Sequence, residues 1–236
     1  PNVSSHYQVI PEVLWAPASG GGTWMTEVMI TDSSGGSEIS VYFNSAAGER
    51  RGPFVVWTNS NKDVSIKFSN ILDTLDGLDA EFSYYGTGGT LEFLTQDEQH
   101  KIHVTARTSN GNYSKTFQGL NHNDHNTAST GRIMMIQGLV SNETYRTAYG
   151  GFNPTNASIT VEYELIDSNG SSIGSTFTRS FSAHQYIGFS PFNEAGLPYP
   201  TYSYDNVWLK ITPVSGSGEL MSYGATANNN TNDPAV

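Results

Sequence analysis

The chain has 236 residues, with 11 Lys+Arg against 22 Asp+Glu and a net charge of −11 at pH 7. So few cations exclude a nucleic-acid ligand, because phosphate-backbone affinity comes from Lys and Arg neutralising phosphates, and no apolar run of about 18 residues is present to span a bilayer. The absence of cysteine excludes disulfide frameworks, thiol nucleophiles and iron–sulfur clusters, while 36% apolar and 12% aromatic residues suffice to fill a core.

The chain opens on Pro1-Asn2-Val3 without Met, as expected of a processed mature chain or an excised piece. Val9-Ile10-Pro11 and Gly22-Thr23-Trp24-Met25-Thr26 lead into the first clear strand. There Ile39, Val41 and Phe43 alternate with Ser40 and Tyr42, the period of two expected of a half-buried strand. Val64, Ile66 and Phe68 repeat the pattern, with Asp32-Ser33-Ser34-Gly35-Gly36 as a turn upstream. Ser69 is then placed to cap a short helical turn carrying Ile71, Leu72 and Leu75 and stopping at Gly77. Tyr84-Tyr85-Gly86 follows in a turn-rich insertion, and His100 and His103 stand beside the start of another strand. The polar, aperiodic connector Gln118 to Ala128 marks a boundary.

Beyond it the same events recur. Tyr145, Arg146 and Thr147 precede a turn at Asn153-Pro154-Thr155-Asn156, and Ile159, Val161, Tyr163 and Leu165 alternate. Asp167-Ser168-Asn169-Gly170 reads as a hairpin turn, and Phe192 to Leu197 as the second helical turn. Val207, Leu209 and Ile211 form a last alternating strand, with Trp208 on its opposite face. Short alternating strands without long helical periodicity predict an all-β protein built from antiparallel sandwiches of immunoglobulin-like or jelly-roll-like type.

The recurrence is an internal repeat. Trp24 falls on Tyr145 (145 − 24 = 121), Thr26 on Thr147 (147 − 26 = 121) and Ile39 on Ile159 (159 − 39 = 120). Ile66 falls on Ile187 (187 − 66 = 121) and Gly77 on Gly196 (196 − 77 = 119), and Ala106 to Asn110 is set on Ala225 to Asn229 (225 − 106 = 119). Shared order at a nearly constant offset implies two homologous domains, residues 1–120 and 131–236, joined by a linker at 121–130. Each is expected to wrap its own core, with its helical turn plugging one open end. Trp24 and Tyr145, at equivalent positions, are expected to pack.

Taken in order, Val9-Ile10-Pro11, Gly22-Thr23-Trp24-x-Thr26, Ala106-Arg107-Thr108-Ser109-Asn110, Gly138-Leu139, Tyr145-Arg146-Thr147, Phe152-Asn153-Pro154 and the closing Asn230-Thr231-Asn232-Asp233-Pro234 resemble a tandem-repeat β-sandwich module of secreted bacterial proteins. That group has no established activity. The resemblance implies a secreted or cell-surface location, an accessory role and no catalytic residues. The first copy departs by carrying Asp32-Ser33 where the second keeps Asn153-Pro154.

Two functions follow as expectations. The first is a non-catalytic extracellular structural or interaction module that associates with itself or with other surface proteins, through strand addition at the termini, with Val9, Ile10 and Trp208 as assembly residues. The alternative is a carbohydrate-binding module using Tyr84, Tyr85, Tyr199, Tyr202 and Tyr204, with Asp205 bonding hydroxyls, since tyrosine offers an apolar face with a polar edge. A weaker alternative places a metal-dependent hydrolase at His122, Asp124 and His125. No cofactor is expected. Calcium would need about six to eight converging oxygens, and the acidic turns at Asp32, Asp97 and Asp167 do not indicate that. Gly170-Ser171-Ser172-Ile173-Gly174 has the spacing of a nucleophile elbow but lies in a turn between strands, where no strand-to-helix corner forms.

Overall fold

The computed structural model describes residues 6–18, 21–111, 114–121 and 127–230, and the backbone of 234–235. The chain divides into two units, Pro1–Asp124 and His125–Val236.

In unit 1 the elements run β1 (Tyr7–Pro17), β2 (Thr23–Asp32), β3 (Glu38–Ser45), β4 (Arg50–Thr58), β5 (Val64–Phe68), α1 (Ile71–Asp76), β6 (Thr87–Thr95), β7 (Ile102–Ser109) and β8 (Ser114–Gln118). One layer is β4-β3-β6-β1 and the other is β2 flanked by β5 and β7, with β8 beyond β7. All ladders are antiparallel. The end of β1 crosses to β2 at Ala16↔Trp24, so one strand joins both layers. Ile39, Val41 and Phe43 of β3 point into the interior with Leu91 and Phe93 of β6, against Val28 and Ile30 of β2 and Val104 of β7. Ile71, Leu72 and Leu75 of α1 complete this core. Asn70, not Ser69, is the N-cap of α1, and its side chain makes no capping bond.

Unit 2 repeats this plan as β9 (Thr127–Ala128), β10 (Met134–Ser141), β11 (Tyr145–Phe152), β12 (Ile159–Ile166), β13 (Ser172–Phe181), β14 (Tyr186–Phe189), α2 (Pro191–Glu194), β15 (Tyr204–Gly216), β16 (Leu220–Asn228) and β17 (Pro234–Ala235). Its order β13-β12-β15-β10-β11-β16-β17, with β14 on β11, is strand for strand that of unit 1, β4-β3-β6-β1-β2-β7-β8 with β5 on β2. Only β9, paired to β16, has no counterpart among the described strands of unit 1. Unit 2 holds a separate core of Ile159, Val161, Tyr163, Leu209, Ile211 and Phe181, closed by Phe192 and Leu197 around α2. Ser190 caps α2, its hydroxyl accepting from Asn193 N.

A buried threonine marks the same point in each unit. Thr26 Oγ1 accepts from Leu14 N (2.8 Å), donates to Leu14 O (3.2 Å) and meets Thr108 Oγ1 at 2.8 Å. A hydroxyl has one proton, so Thr108 donates the third bond. In unit 2, Thr147 Oγ1 accepts from Val140 N (2.8 Å), donates to Val140 O (3.0 Å) and meets Thr226 at 3.3 Å. The hydroxyl serves main-chain groups of β1 or β10 just beyond the bulges at Ile10/Val13 and Ile136/Leu139.

These bonds correct the sequence alignment by one residue. Thr26 pairs with Thr108 and Thr147 with Thr226, so β7 maps onto β16 at 226 − 108 = 118, not 119. Ala106 therefore corresponds to Gly224, where an added Cβ would meet Ile136 Cγ2 at 3.1 Å. In a strand a slip of one would exchange the inner and outer faces.

Candidate carbohydrate-binding cleft

The β10–β11 hairpin of unit 2 turns through Asn142-Glu143-Thr144, and the turn is set by Asn142. Its Oδ1 accepts from Thr144 N (2.9 Å) and Tyr145 N (2.7 Å), and its Nδ2 donates to Asp205 Oδ1 at 2.6 Å. Asn229, just past β16, donates from Nδ2 to Asn142 O (2.8 Å) and Glu143 O (3.1 Å), and from its main chain to Thr144 O (2.7 Å). Arg146 Nη1 reaches Asn229 Oδ1 at 3.3 Å. These bonds make one wall. Ser190 and Asn193 at the start of α2, with Tyr199 from the α2–β15 connection, make the other, and the space between is a cleft of about 620 Å³. Small-molecule sites occupy the same range, roughly 300–1,000 Å³.

Two rings border this cleft, Tyr145 at 36% exposure and Tyr199 at 43%. Asn193, Asn230, Ser190, Arg146 and Glu143 give the cleft polar side chains, while the Asn142 and Asn229 amides and the buried Thr147 hydroxyl, which also border it, are engaged in the bonds that build the wall and the strand bridge. Tyrosine faces stack on apolar ring faces, and amides both donate and accept. The arrangement can hold a flat, hydroxyl-rich molecule.

The structure disperses the tyrosines grouped from sequence. Tyr84 is buried in the unit 1 core, its ring 5.2 Å from Phe43 and 4.8 Å from Phe82, and its hydroxyl donates to Asp79 Oδ2 at 3.2 Å. It is removed from any ligand surface. Burial, with the Asp79 charge, pushes its hydroxyl far above the ordinary tyrosine range. Arg51 grips the same Asp79 through Nε (2.7 Å) and Nη2 (2.8 Å), and holds its carboxyl below the usual range. Tyr85, next in sequence, is 50% exposed and meets Trp15 edge-on at 5.3 Å. Tyr204 stacks on Phe192 at 6.1 Å against the unit 2 core and is not among the residues that line the cleft. Tyr202 is exposed and outside the cleft lining, and Asp205 braces Asn142.

The assembly residues separate as well. Val9 and Ile10 are fully buried. Val9 pairs with Glu92 of β6 on one side and exchanges two main-chain bonds of 2.8 Å with Leu120 on the other. β1 is thus an interior strand at this point, and these residues cannot offer an open edge. Trp208 is 38% exposed between buried Val207 and Leu209, on the outer face.

His122, Asp124 and His125 lie outside the described residues. Among the described residues no group of three or more His, Asp or Glu side chains is disposed to hold a metal. His100 Nδ1 contacts Asp97 Oδ1 at 2.7 Å in the turn before β7, whereas His103 lies within that strand. The Asp32 carboxylate is filled by Ser34 N (3.0 Å), Gly35 N (2.9 Å) and Asn59 Nδ2 (3.1 Å), and Asp167 by Asn169 N and Ser171 N, both at 2.9 Å. The Gly170 to Gly174 string lies in the β12–β13 turn and the start of β13. No helix among the described residues is long and apolar enough to cross a membrane.

Tyr145 is the residue that sequence reasoning misplaced. Its repeat equivalence to Trp24 suggested packing, yet neither belongs to a core. The available signal was position: both stand two residues ahead of the bridging threonine, past the edge of the alternating apolar pattern.

No protein-family model and no curated protein matches this chain. Among solved structures, a chain in the "Structure of infectious bursal disease virus Gt strain" is similar at 10% identity, over 98% of this chain and 70% of its own, with a TM-score of 0.20. A likeness at that level carries no argument.

Proposed function

We propose that the protein is a non-catalytic, extracellular carbohydrate-recognition module that engages a polysaccharide at the hairpin end of unit 2. The observation that carries this reading is the meeting of two half-exposed tyrosine rings, Tyr145 and Tyr199, with the amide side chains of Asn193 and Asn230 in one cleft. The wall is braced by its own hydrogen bonds, which lowers the ordering cost of binding. The resemblance to secreted bacterial modules supports the location. A glycan array and polysaccharide pull-down test the reading. Binding that falls about tenfold in Tyr199→Ala and in Tyr145→Ala, the loss of one stacking contact of about 1.4 kcal/mol, is the expected result. Absence of binding to every polysaccharide overturns it.

A second reading, a structural module that associates with itself or with other surface proteins, draws support from the outermost strands. Among the described residues β4 and β13 are each paired on one side only, and Trp208 stands half exposed on an outer face. Light scattering on the intact chain and on Trp208→Ala tests it. A monomer at every concentration counts against it.

A further inference from the structure

We propose that the unit 2 cleft takes a polymer of amino sugars bearing free ammonium groups, and that Glu143 selects for that charge. This inference rests on the carbohydrate reading of unit 2 and names its substrate class.

Two charged side chains line the cleft, Glu143 and Arg146, and Asp205 stands one hydrogen bond behind it, on Asn142 Nδ2. They are unequally available. Arg146 turns Nη1 to the chain that closes the wall, at 3.3 Å from Asn229 Oδ1 and 3.4 Å from Asn228 O. Glu143 lies at the apex of the β10–β11 hairpin, where Asn229 Nδ2 holds its main-chain carbonyl at 3.1 Å. The backbone is thus fixed while the Glu143 side chain stands exposed, its carboxylate without a hydrogen bond or ion pair among the described residues. Two carboxylates against one guanidinium leave this end of the unit negative, and unit 2 as a whole carries 4 Lys+Arg against 8 Asp+Glu (4 − 8 = −4). A concave site focuses such a field. It attracts a cation and repels the carboxylates of uronic acids and the sulfates of acidic glycans.

The rings favour the same charge. A tyrosine face is the negative pole of its quadrupole, so Tyr145 and Tyr199 attract an ammonium group as well as an apolar sugar face. In a glucosamine unit the ammonium projects from the edge of the ring. A unit stacked on either tyrosine therefore keeps that group free to meet a carboxylate at the cleft wall. The amides of Asn193 and Asn230 bond the hydroxyls of any sugar and give no preference by charge. Discrimination between neutral and cationic sugars falls to the rings and to Glu143, and Glu143→Gln removes the charge while keeping the shape.

Isothermal titration of the intact chain tests this in low-salt, mildly acidic buffer that keeps amino sugars charged. The probes are linear hexamers of glucosamine and of glucose with the same linkage, which differ only in an ammonium in place of a hydroxyl. Hexamers of N-acetylglucosamine, uncharged, and of galacturonic acid, anionic, complete the set. The glucosamine hexamer is expected to bind about tenfold more tightly than the glucose hexamer, and the galacturonate not measurably. High salt and Glu143→Gln should each bring the ratio of the two affinities to within about threefold. The ratio is taken within one variant, so a change in folding or in the shared stacking contacts cancels from it. Glu162→Gln removes an acid on β12 outside the cleft lining and should leave the ratio at its original value. A glucose or N-acetylglucosamine hexamer bound as tightly as the glucosamine hexamer overturns this inference and leaves the carbohydrate reading standing. So does a ratio that Glu143→Gln leaves unchanged, or that Glu162→Gln lowers as far, since the preference then belongs to the net charge of the chain. No binding by any of the four overturns it as well, and the carbohydrate reading falls with it if the glycan array is also blank.

Discussion

Unit 1 and unit 2 share one strand order and fill one buried position with different chemistry. At the end of β2 stands Asp32, and at the matching position just past β11 stands Asn153 (153 − 32 = 121), both fully buried. Asp32 faces donors only, the N–H groups of Ser34 and Gly35, the Ser34 hydroxyl and the Asn59 amide. Asn153 faces both kinds of partner. Its Nδ2 lies 2.7 Å from Ala157 O and 2.9 Å from Ser182 O, and its Oδ1 accepts from Thr155 N and Oγ1. A carboxylate suits a turn that points only N–H and O–H groups inward, and an amide suits one that also brings carbonyls. Homologous architecture therefore leaves each turn free to choose its own anchor, provided every buried polar atom is satisfied.

The sharpest way to break that comparison is to swap the anchors. Asn153→Asp sets a carboxylate against carbonyl oxygens and is expected to destabilise unit 2 by about 3–5 kcal/mol, the cost of an uncompensated buried charge. Asp32→Asn loses charge-assisted bonds but keeps an acceptor, and is expected to cost unit 1 only about 1–2 kcal/mol. Hydrogen exchange on the intact chain, read at β11 and β12 or at β2 and β3, distinguishes the two. Equal losses would mean that the turns are interchangeable.

A second contrast lies where unit 2 adds β9 to β16 at Leu220↔Ala128. In unit 1 the buried Gln8 side chain reaches the matching strand, donating to Ile102 O (3.0 Å) and accepting from Val104 N (2.8 Å). Gln8→Ala orphans both main-chain groups and is expected to cost about 2–4 kcal/mol, measured by urea unfolding followed by tryptophan emission. Three of the 4 tryptophans (Trp15, Trp24 and Trp57) report on unit 1. A cost below about 1 kcal/mol would show the side chain to be dispensable.

The threonine bridges should behave alike. Thr26→Val and Thr147→Val keep shape and remove the hydroxyl, and each is expected to cost about 1–3 kcal/mol. A marked inequality would mean that the shared bond geometry does not carry shared energetics.

The smallest effect expected is on acid stability. Burial alone would raise the Asp32 carboxyl, but the N–H groups of Gly35 and Ser34, with the Asn59 amide, outweigh it and hold it below the usual carboxylate range. Its contribution is therefore complete above the unfolded value of about 3.9 and is lost as pH falls below that through the lowered folded value. Asp79, held down by Arg51, adds in the same direction. Tryptophan emission should report unit 1 loosening below about pH 4, and Asp32→Asn should flatten the profile. An unchanged profile would assign acid sensitivity to other carboxylates.

Strand alternation made much of the fold legible. Ile39, Val41 and Phe43 read as an inward row and are all fully buried, because a period of two admits only one set of residues to a two-layer core. The candidate cleft was not legible in the same way. Tyr84 and Tyr85 are neighbours in an aperiodic loop, yet one is buried on Asp79 and the other half exposed beside Trp15. No periodicity exists there to separate them. The alignment of Ala106 to Asn110 failed by one residue because two frames carry similar small residues, and only the Thr147–Thr226 bond distinguishes them.

By itself, then, the order of residues determined the all-β class, the doubling of one strand pattern and the inward rows, since these follow from local alternation and turn chemistry. Tertiary structure alone decided which loop tyrosines face solvent, which threonine hydroxyl serves which strand, and that Tyr145 and Tyr199, 54 residues apart (199 − 145 = 54), border one cleft. Those outcomes depend on contacts between segments remote in the chain, where the hydrogen-bond partner and the packing neighbour are set by the fold and leave no periodic trace in the sequence.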